Sequence, residues 1–314
     1  MNDGLHVVIG GSGGTGSAVI DELLRRGHRV RSVSRNPGKA RPGVEAMAGD
    51  LAKADAATEA VRGAAVVYQC ANPTYHRWTT EFPPIQANLL TAVEMAGAKL
   101  VMADNLYMYG PPDGPLREDT AQRATDRKGL LRAGMAKDLL AAHAAGRIRV
   151  AIGRSSDYFG PGGVNSGVGE LFFGAAAAGK QPRWLGSLDQ PHSLGFLPDM
   201  AAGLVTLGEH DDADGRAWHL PAQPAMTGRQ WADRLSATLR RSLRLGRVSR
   251  PMILAAGLFS PLLRELRGTL YQWERPWVVD DGAFRTAFSA APTPTDEALE
   301  ATVAWFHARA AAAG

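Results

Sequence analysis

Hydrophobic and polar positions follow two alternating patterns over the first half of the chain. Short apolar runs end in glycine or polar residues, as buried parallel strands do: LHVVI, RVRSVS, AAVVYQC, KLVMAD and RIRVAIG. Stretches with helical spacing lie between them, including residues 54–62, 85–96 and 128–145. Strands that alternate with helices of this length predict βαβ units and a parallel sheet.

The pattern changes near residue 158. GPGGVNSG is typical of a loop, LFFGAAAAG of a short helix, and further helices are predicted near 228–242 and 296–312. We predict an α/β protein in which residues 1–158 form a Rossmann-type, doubly wound parallel sheet, with a later return of the chain near 192–220. Residues 159–314 are expected to form a smaller, mixed substrate-binding lobe that is mostly helical.

Composition narrows the class of protein. Hydrophobic residues make up 45% and charged residues 21% of the 314, which is typical of an ordered domain. A net charge of +4, with no basic run interleaved with aromatics, argues against nucleic-acid binding. The single Cys70 excludes an internal disulfide and fits a reducing compartment.

Membrane and targeting signals are not evident. The longest apolar candidate, PMILAAGLFSPLL, is shorter than the roughly 20 residues of a membrane span. The first strand begins too near the N-terminus for a signal peptide. We expect a cytoplasmic protein without a membrane partner.

The loop VVIGGSGGTGS follows the first strand and opens an amphipathic helix. Two glycine frames fit it, Gly11-x-Gly13-x-x-Gly16 and Gly10-x-x-Gly13-x-x-Gly16. Either frame places glycine where backbone must approach a pyrophosphate, whose oxygens the N–H groups at the helix start then bind. Dinucleotide contacts are therefore expected from Gly10, Ser12, Gly13, Gly14, Thr15 and Gly16.

The end of the second strand indicates which dinucleotide binds. An acidic residue there binds the ribose 2′-hydroxyl of NAD, whereas arginine accommodates the 2′-phosphate of NADP. This chain has Ser34 and Arg35, with Lys39 and Arg41 close behind and no carboxylate between Glu22 and Glu45. The expected cofactor is NADP(H).

With these residues placed, the chain resembles the extended and atypical short-chain dehydrogenases/reductases, the group of NAD(P)-dependent epimerases, dehydratases and ketoreductases. The resemblance is carried by the glycine loop and by four later segments: Gly49-Asp50-Leu51, Ala71-Asn72, NLLTAVEMAGAKLVMADNLYMYG and residues 153–162. It implies that Asp50 and Leu51 lie beside adenine and that Ala71 and Asn72 pass along the cofactor. It also implies that Ser155 lies in the stretch against nicotinamide.

Catalysis in that family uses serine or threonine, tyrosine and lysine. Counting back from Gly110 places Asn105 at the serine position. Lys137 takes the lysine position, with an implied contact to the nicotinamide ribose, but the residue four before it is Ala133. None of the six tyrosines has a lysine four residues later, and alanine can neither donate nor accept a proton.

Three sources could replace the missing acid. Tyr107 lies two residues beyond Asn105, so in an extended segment both point to the same side, and Asn105 could hydrogen-bond the reacting oxygen. Water is the second source, and an acidic phenol or enol of the substrate is the third. Both residues also have a structural alternative: Tyr107 could serve packing, and Asn105 could cap a turn. We expect His192 and His219 to be structural, and no spacing indicates a metal site.

The expected function is an NADPH-dependent ketoreductase acting on a bulky, aromatic, phenol-bearing ketone of the polyketide or quinone type. It resembles the atypical ketoreductases that act on angucyclinones in antibiotic tailoring. Aromatic residues after residue 157 favour a flat substrate: Tyr158, Phe159, Phe172, Phe173, Trp184 and Phe196. Two alternatives stay open, a nucleotide-sugar epimerase or dehydratase and a non-catalytic, NmrA-like NADP sensor.

Overall fold

The computed structural model describes residues 4–38 and 40–313, so Lys39 lies outside the described residues. The strands and helices, in chain order, are β1 (Leu5–Ile9), α1 (Gly14–Arg25), β2 (Arg29–Ser34), β3 (Val44–Ala48), α2 (Ala54–Val61), β4 (Ala64–Gln69), α3 (Trp78–Ala96), β5 (Lys99–Asp104), α4 (Arg127–Ala144), β6 (Arg149–Arg154), β7 (Tyr158–Phe159), α5 (Ala175–Ala177), β8 (Arg183–Leu185), β9 (Gly195–Phe196), α6 (Leu197–Glu209), β10 (Arg216–His219), α7 (Gly228–Thr238), β11 (Gly246–Val248), α8 (Arg250–Ala256), α9 (Pro261–Leu266), α10 (Tyr271–Glu274), α11 (Gly282–Phe288) and α12 (Thr295–Ala313).

The chain divides into two units. The first comprises Met1–Met108, Arg127–Arg154 and Ala201–Trp218, and the second comprises Tyr109–Asp126, Ser155–Met200 and His219–Gly314. The boundary placed after residue 158 in the sequence thus lies after Arg154, and the chain returns to the first unit at 201–218. Residues 109–126 join the second unit, where Leu116 N–H donates to the Val278 carbonyl at 2.7 Å.

A seven-stranded sheet with the order β10-β6-β5-β4-β1-β2-β3 forms the centre of the first unit. The pairs β1–β2, β2–β3, β1–β4, β4–β5 and β5–β6 are all parallel. From β1 the chain winds outward to β3 on one side, then crosses over and winds outward from β4 to β6 on the other. The doubly wound Rossmann-type sheet is confirmed, and ligands of such sheets bind at the carboxyl ends of the strands where the winding reverses.

The hydrophobic core of the first unit is formed by the apolar strands and by the apolar faces of the helices that pack on them. Val7 and Val8 in β1 are fully buried, because helices cover both faces of a parallel sheet. Helix α3 begins at Trp78 rather than near residue 85, and it contains Pro83 and Pro84. Trp78 and Phe82, four residues apart, are buried on its inner face. Their packing extends the helix beyond the prolines that obscured its start in the sequence.

The second unit combines short strands with helices. Two-residue and three-residue strands pair as β7–β9 and β8–β11, and a π-helix spans Gly169–Gly174. The N-terminus of α7 carries a capping box formed by Thr227 and Gln230. Within the described residues, no helix combines the length and apolar character needed to cross a bilayer.

Candidate functional site

Two glycines where the chain passes from β1 into the first turn of α1 have no room for a side chain. Gly10 has φ +82°, and a Cβ on it would lie 2.5 Å from the Cα of Ala71 in the chain that leaves β4. A Cβ on Gly16 would lie 2.3 Å from the carbonyl oxygen of Gly10. The loop therefore presents bare backbone at the carboxyl edge of the sheet, as a pyrophosphate requires.

The first turn of α1 is suited to an anion. Gly13 caps the helix without a side-chain hydrogen bond, and the first turn contains no acidic residue. The N–H groups of Gly14, Thr15 and Gly16 have no acceptor within the helix, and the positive end of the helix favours a negative group. Ser12 and Gly13 are exposed beside them. The residues present thus fit a dinucleotide pyrophosphate.

Ser34 ends β2 beside this loop, and Arg35 follows it directly. Ser34 Oγ accepts from the Ser12 N–H at 3.1 Å, which joins the loop to β2. The Arg35 guanidinium is largely exposed and lies 3.8 Å from Glu81, which also pairs with Arg77 at 2.6 Å. Two arginines thus face one carboxylate, so positive charge remains for a 2′-phosphate.

The segments after β3 and β4 reach the same edge of the sheet. Asp50 and Leu51 follow β3, where Asp50 Oδ1 accepts from the Ala52 N–H at 3.2 Å and Leu51 is buried. Ala71 packs against the glycine loop, whereas Asn72 is exposed. Burial raises the pKa of the adjacent Cys70 thiol to about 12, which makes that thiol a poor nucleophile.

Ser155 opens the second unit directly after β6. It is buried, and its Oγ has no hydrogen-bond partner among the described residues; the same holds for Ser156. Buried hydroxyls without partners are uncommon in folded proteins. Both hydroxyls could therefore serve a ligand, which fits the nicotinamide contact that the resemblance implies for Ser155.

The buried face of helix α4 does not include Lys137, the residue to which the sequence assigned the lysine role. Its buried face contains Lys128, Gly129, Arg132, Met135, Ala136, Leu139 and Ala142. Lys137 is exposed and lies five positions after Arg132, which places it about 140° around the helix from Arg132. The structure therefore does not bring Lys137 to the end of β5, and Ala133 is half-buried.

Instead, a buried ion cluster lies at the ends of β5 and β6. Arg132 Nε donates to Asp104 Oδ1 at 2.7 Å, and Arg132 Nη2 donates to the Ala103 carbonyl at 3.0 Å. Arg154 Nε donates to Asp104 Oδ2 at 3.2 Å. All three charged side chains are at most 4% exposed. Asp104 thus holds two arginines in place.

Asn105 and Tyr107 form a turn beyond β5. Asn105 Oδ1 accepts from the Tyr107 N–H at 3.0 Å, so the turn occupies the amide oxygen. The Tyr107 ring stacks on Trp78 with centroids 5.9 Å apart, and Trp78 also contacts Tyr75 at 5.0 Å. The buried Lys128 lies 4.2 Å above the Tyr75 ring. Aromatic rings and a cation thus gather next to the turn.

Lys128 and Arg132 were missed in the sequence. They lie four residues apart on the inner face of α4. This is the spacing that separates the catalytic tyrosine and lysine of the family. Lys128 Nζ donates to the Tyr75 carbonyl at 2.6 Å, so it is bound to the chain that enters α3. Their place on the apolar stripe could have identified them, because buried cations normally have a specific partner.

The aromatic residues of the second unit do not support an aromatic substrate site. Five of the six are at most 4% exposed and belong to the hydrophobic core: Phe159, Phe172, Phe173, Trp184 and Phe196. Tyr158 is half-buried. Their clustering therefore reflects packing in the hydrophobic core of the second unit.

The side chains of His192 and His219 have structural partners. His192 stacks on Trp273 with centroids 4.1 Å apart, and its ring nitrogens contact the Gln272 carbonyl and Asp157. His219 Nε2 lies 2.8 Å from the Tyr109 hydroxyl. In the part of the chain that the structure describes, no three His, Cys, Asp or Glu residues form a group that could hold a metal ion.

The matching family model is described as "NAD dependent epimerase/dehydratase family" and covers residues 6–220. The chain therefore belongs to this family, and the predicted resemblance is confirmed. The family supports an oxidoreductase or isomerase with a nicotinamide dinucleotide cofactor. A curated relative, the decarboxylating sterol-4-alpha-carboxylate 3-dehydrogenase of Mus musculus, is 33% identical over 97 residues. That match spans 30% of this chain and 24% of the relative, about a quarter of its length.

Solved structures share the fold over nearly the whole chain. A UDP-N-acetylglucosamine 4-epimerase from Methanobrevibacter ruminantium, in complex with UDP-N-acetylmuramic acid, has a TM-score of 0.82 and 18% identity, covering 98% of this chain and 100% of that chain. MoeE5 in complex with UDP-glucose and NAD has a TM-score of 0.78 and 19% identity at the same coverage. The UDP-glucuronic acid 4-epimerase from Bacillus cereus has a TM-score of 0.79 and 16% identity, covering 97% and 99%.

Proposed function

We propose that the protein binds NADP(H) and reduces the carbonyl group of a small molecule without a tyrosine on α4 as the general acid. The observation that carries this proposal is an intact dinucleotide loop combined with an α4 face that contains no tyrosine. Bound NADPH supplies the hydride. Gly10–Gly16 would hold its pyrophosphate and Arg35 its 2′-phosphate.

The direction of the reaction follows from proton chemistry. Oxidising an alcohol requires a base that removes a proton from a hydroxyl group, which water does poorly at neutral pH. Reduction produces an alkoxide, which is basic enough to take a proton from water or from a nearby phenol. Loss of a general acid typically costs on the order of 10²–10⁴ in rate, which a reductase tolerates more easily.

Tyr107 is the candidate proton donor. Its hydroxyl belongs to the turn beyond β5, and its ring is held against Trp78. Asn105 contributes its amide N–H₂ to the same region, since its oxygen is already occupied by the turn. In a narrower form of the proposal, the substrate is a ketone whose own phenol provides the proton. Proton chemistry supports this form, whereas the aromatic residues of the second unit do not.

Turnover is tested by the loss of absorbance at 340 nm with NADPH and a panel of ketones with and without a neighbouring phenol. Tyr107→Phe is expected to lower kcat about 10²-fold, with KM for NADPH unchanged, because only the proton donor is lost. Tyr75→Phe is the matched control, since Tyr75 packs on the same Trp78. A Tyr107→Phe variant as active as wild type would assign the proton to water or to the substrate.

Arg35 is expected to select NADPH over NADH. Replacing it with alanine should weaken NADPH binding about tenfold to a hundredfold and leave NADH binding unchanged, because a charge-assisted bond to the 2′-phosphate is lost. Fluorescence titration with both cofactors measures this. Arg62→Ala, a similarly exposed arginine at the C-terminal cap of α2, serves as the control. Equal losses for both cofactors would contradict the assignment.

A second candidate is a cofactor-binding protein that has lost turnover. It is favoured by the ion cluster at Asp104, which uses both carboxylate oxygens, and by the exposure of Lys137. NADPH that raises the melting temperature without turnover of any ketone would support it. A nucleotide-sugar epimerase or dehydratase, the activity of several structural neighbours, also fits the family, but it requires a strong base, and α4 contains no tyrosine that could act as one.

A further inference from the structure

The segment that begins with α8 exposes an apolar helical face. Helical turns continue past α8, since the Phe259 N–H donates to the Ala256 carbonyl at 3.1 Å. Ile253 and Gly257, four residues apart, are buried on the inner side. The exposed residues are spaced i, i+3, i+4 and i+7 on the outer side: Met252, Ala255, Ala256 and Phe259.

Large apolar side chains are concentrated here. Phe259 is 90% exposed, Leu258 71% and Met252 49%. Among the described residues, the only other exposed large hydrophobic side chains are Met95 and Leu130, which belong to separate helices. Single exposed apolar residues are ordinary, whereas a cluster marks an interaction surface. The partner of this cluster must therefore offer an apolar surface or interior.

Positive charge accompanies the apolar cluster along the chain, and one arginine contacts it. Arg264 Nε donates to the Gly257 carbonyl at 3.2 Å and its Nη2 to the Leu258 carbonyl at 3.3 Å, so one guanidinium lies at the apolar tip. Between residues 240 and 267 the sequence has one carboxylate, Glu265. Seven arginines of this stretch are exposed: Arg240, Arg241, Arg244, Arg247, Arg250, Arg264 and Arg267.

We propose that residues 240–267 dock on the surface of an anionic lipid bilayer, with Leu258 and Phe259 inserted among the acyl chains. An apolar stripe beside cations is the pattern of helices that lie in a membrane interface. Each arginine near an anionic surface adds attraction. A second copy of the chain fits less well, because a symmetric contact would oppose arginine to arginine. The exposed side chains of Met252, Leu258 and Phe259 thus lie on a membrane without spanning it.

Co-sedimentation with vesicles tests the proposal. Wild type is expected to bind vesicles of phosphatidylcholine mixed with phosphatidylglycerol and not vesicles of phosphatidylcholine alone. The double variant Leu258→Asp/Phe259→Asp should bind at least about tenfold more weakly, because two apolar side chains no longer enter the bilayer. Met95→Asp, an exposed apolar residue on α3, is the control and should bind like wild type. An unchanged NADPH-induced thermal shift shows that each variant is folded.

The charge component is tested separately. The double variant Arg264→Gln/Arg267→Gln should bind the anionic vesicles more weakly. Its binding should also depend less on salt concentration, because fewer charges remain for salt to screen. Absence of wild-type binding at low salt, or equal binding by the Leu258/Phe259 variant, overturns the proposal. A wild-type dimer in sedimentation velocity that this double variant dissociates would also overturn it, since the patch would then join two copies of the chain.

Discussion

Replacing Gly16 by alanine is expected to weaken NADPH binding about tenfold to a hundredfold. The added Cβ would lie 2.3 Å from the Gly10 carbonyl oxygen and 2.9 Å from the Gly11 Cα, so backbone must move. That movement displaces the N–H groups that bind the pyrophosphate and opens the contact between α1 and β1. Fluorescence titration with NADPH measures the affinity, and thermal unfolding reports the accompanying loss of stability.

Gly134→Ala is the matched control for this substitution. Gly134 also lies within a helix, and a Cβ on it would meet no atom within 4 Å. Alanine there should stabilise α4 by up to about 1 kcal/mol and leave NADPH binding unchanged. Equal affinities for the Gly16→Ala variant and wild type would mean that the loop does not bind the dinucleotide.

Asp104→Asn is expected to lower the free energy of unfolding by about 3–5 kcal/mol, since it leaves two buried guanidinium groups without a carboxylate. Asparagine keeps the size of the side chain, so the loss measures charge and hydrogen bonding rather than volume. Chemical denaturation of wild type and variant in parallel gives the difference. The variant should also lose the fixed end of β5 that supports Asn105.

An exposed ion pair provides the comparison. Asp189 pairs with Arg229 at 2.7 Å, with side chains 69% and 61% exposed. Asp189→Asn is expected to change the free energy of unfolding by less than about 1 kcal/mol, because water screens the pair and replaces it. Similar effects of the two substitutions would show that the Asp104 cluster is not buried in solution.

The ion cluster bears on the missing tyrosine. Arg132 fills the inner face of α4 and joins it to β5, so the helix is positioned by an ion pair instead of by catalytic groups. Counting along the chain assigned the lysine role to Lys137, but Lys137 lies outside the inner face of α4. Counting residues cannot resolve which side of a helix faces the sheet when the expected tyrosine is absent.

Much of the fold was predictable for local reasons. The apolar runs of β1, β4 and β5 are continuous because they are buried on both faces of a parallel sheet. The glycines at 10, 13 and 16 mark the dinucleotide loop, since backbone geometry admits no larger residue at two of them. The start of α3 was misplaced because Pro83 and Pro84 signal a boundary that the packing of Trp78 overrides.

The sequence by itself determined the family, the parallel sheet and the dinucleotide loop, because each depends on spacing within a short stretch of chain. Only the tertiary structure decided which residues surround the end of β5. Arg132 and Arg154 reach Asp104 from separate elements, and the aromatic residues of the second unit pack inward. Such contacts depend on how distant segments pack together, and the free energy of burying a charge or a ring has no signature in local periodicity.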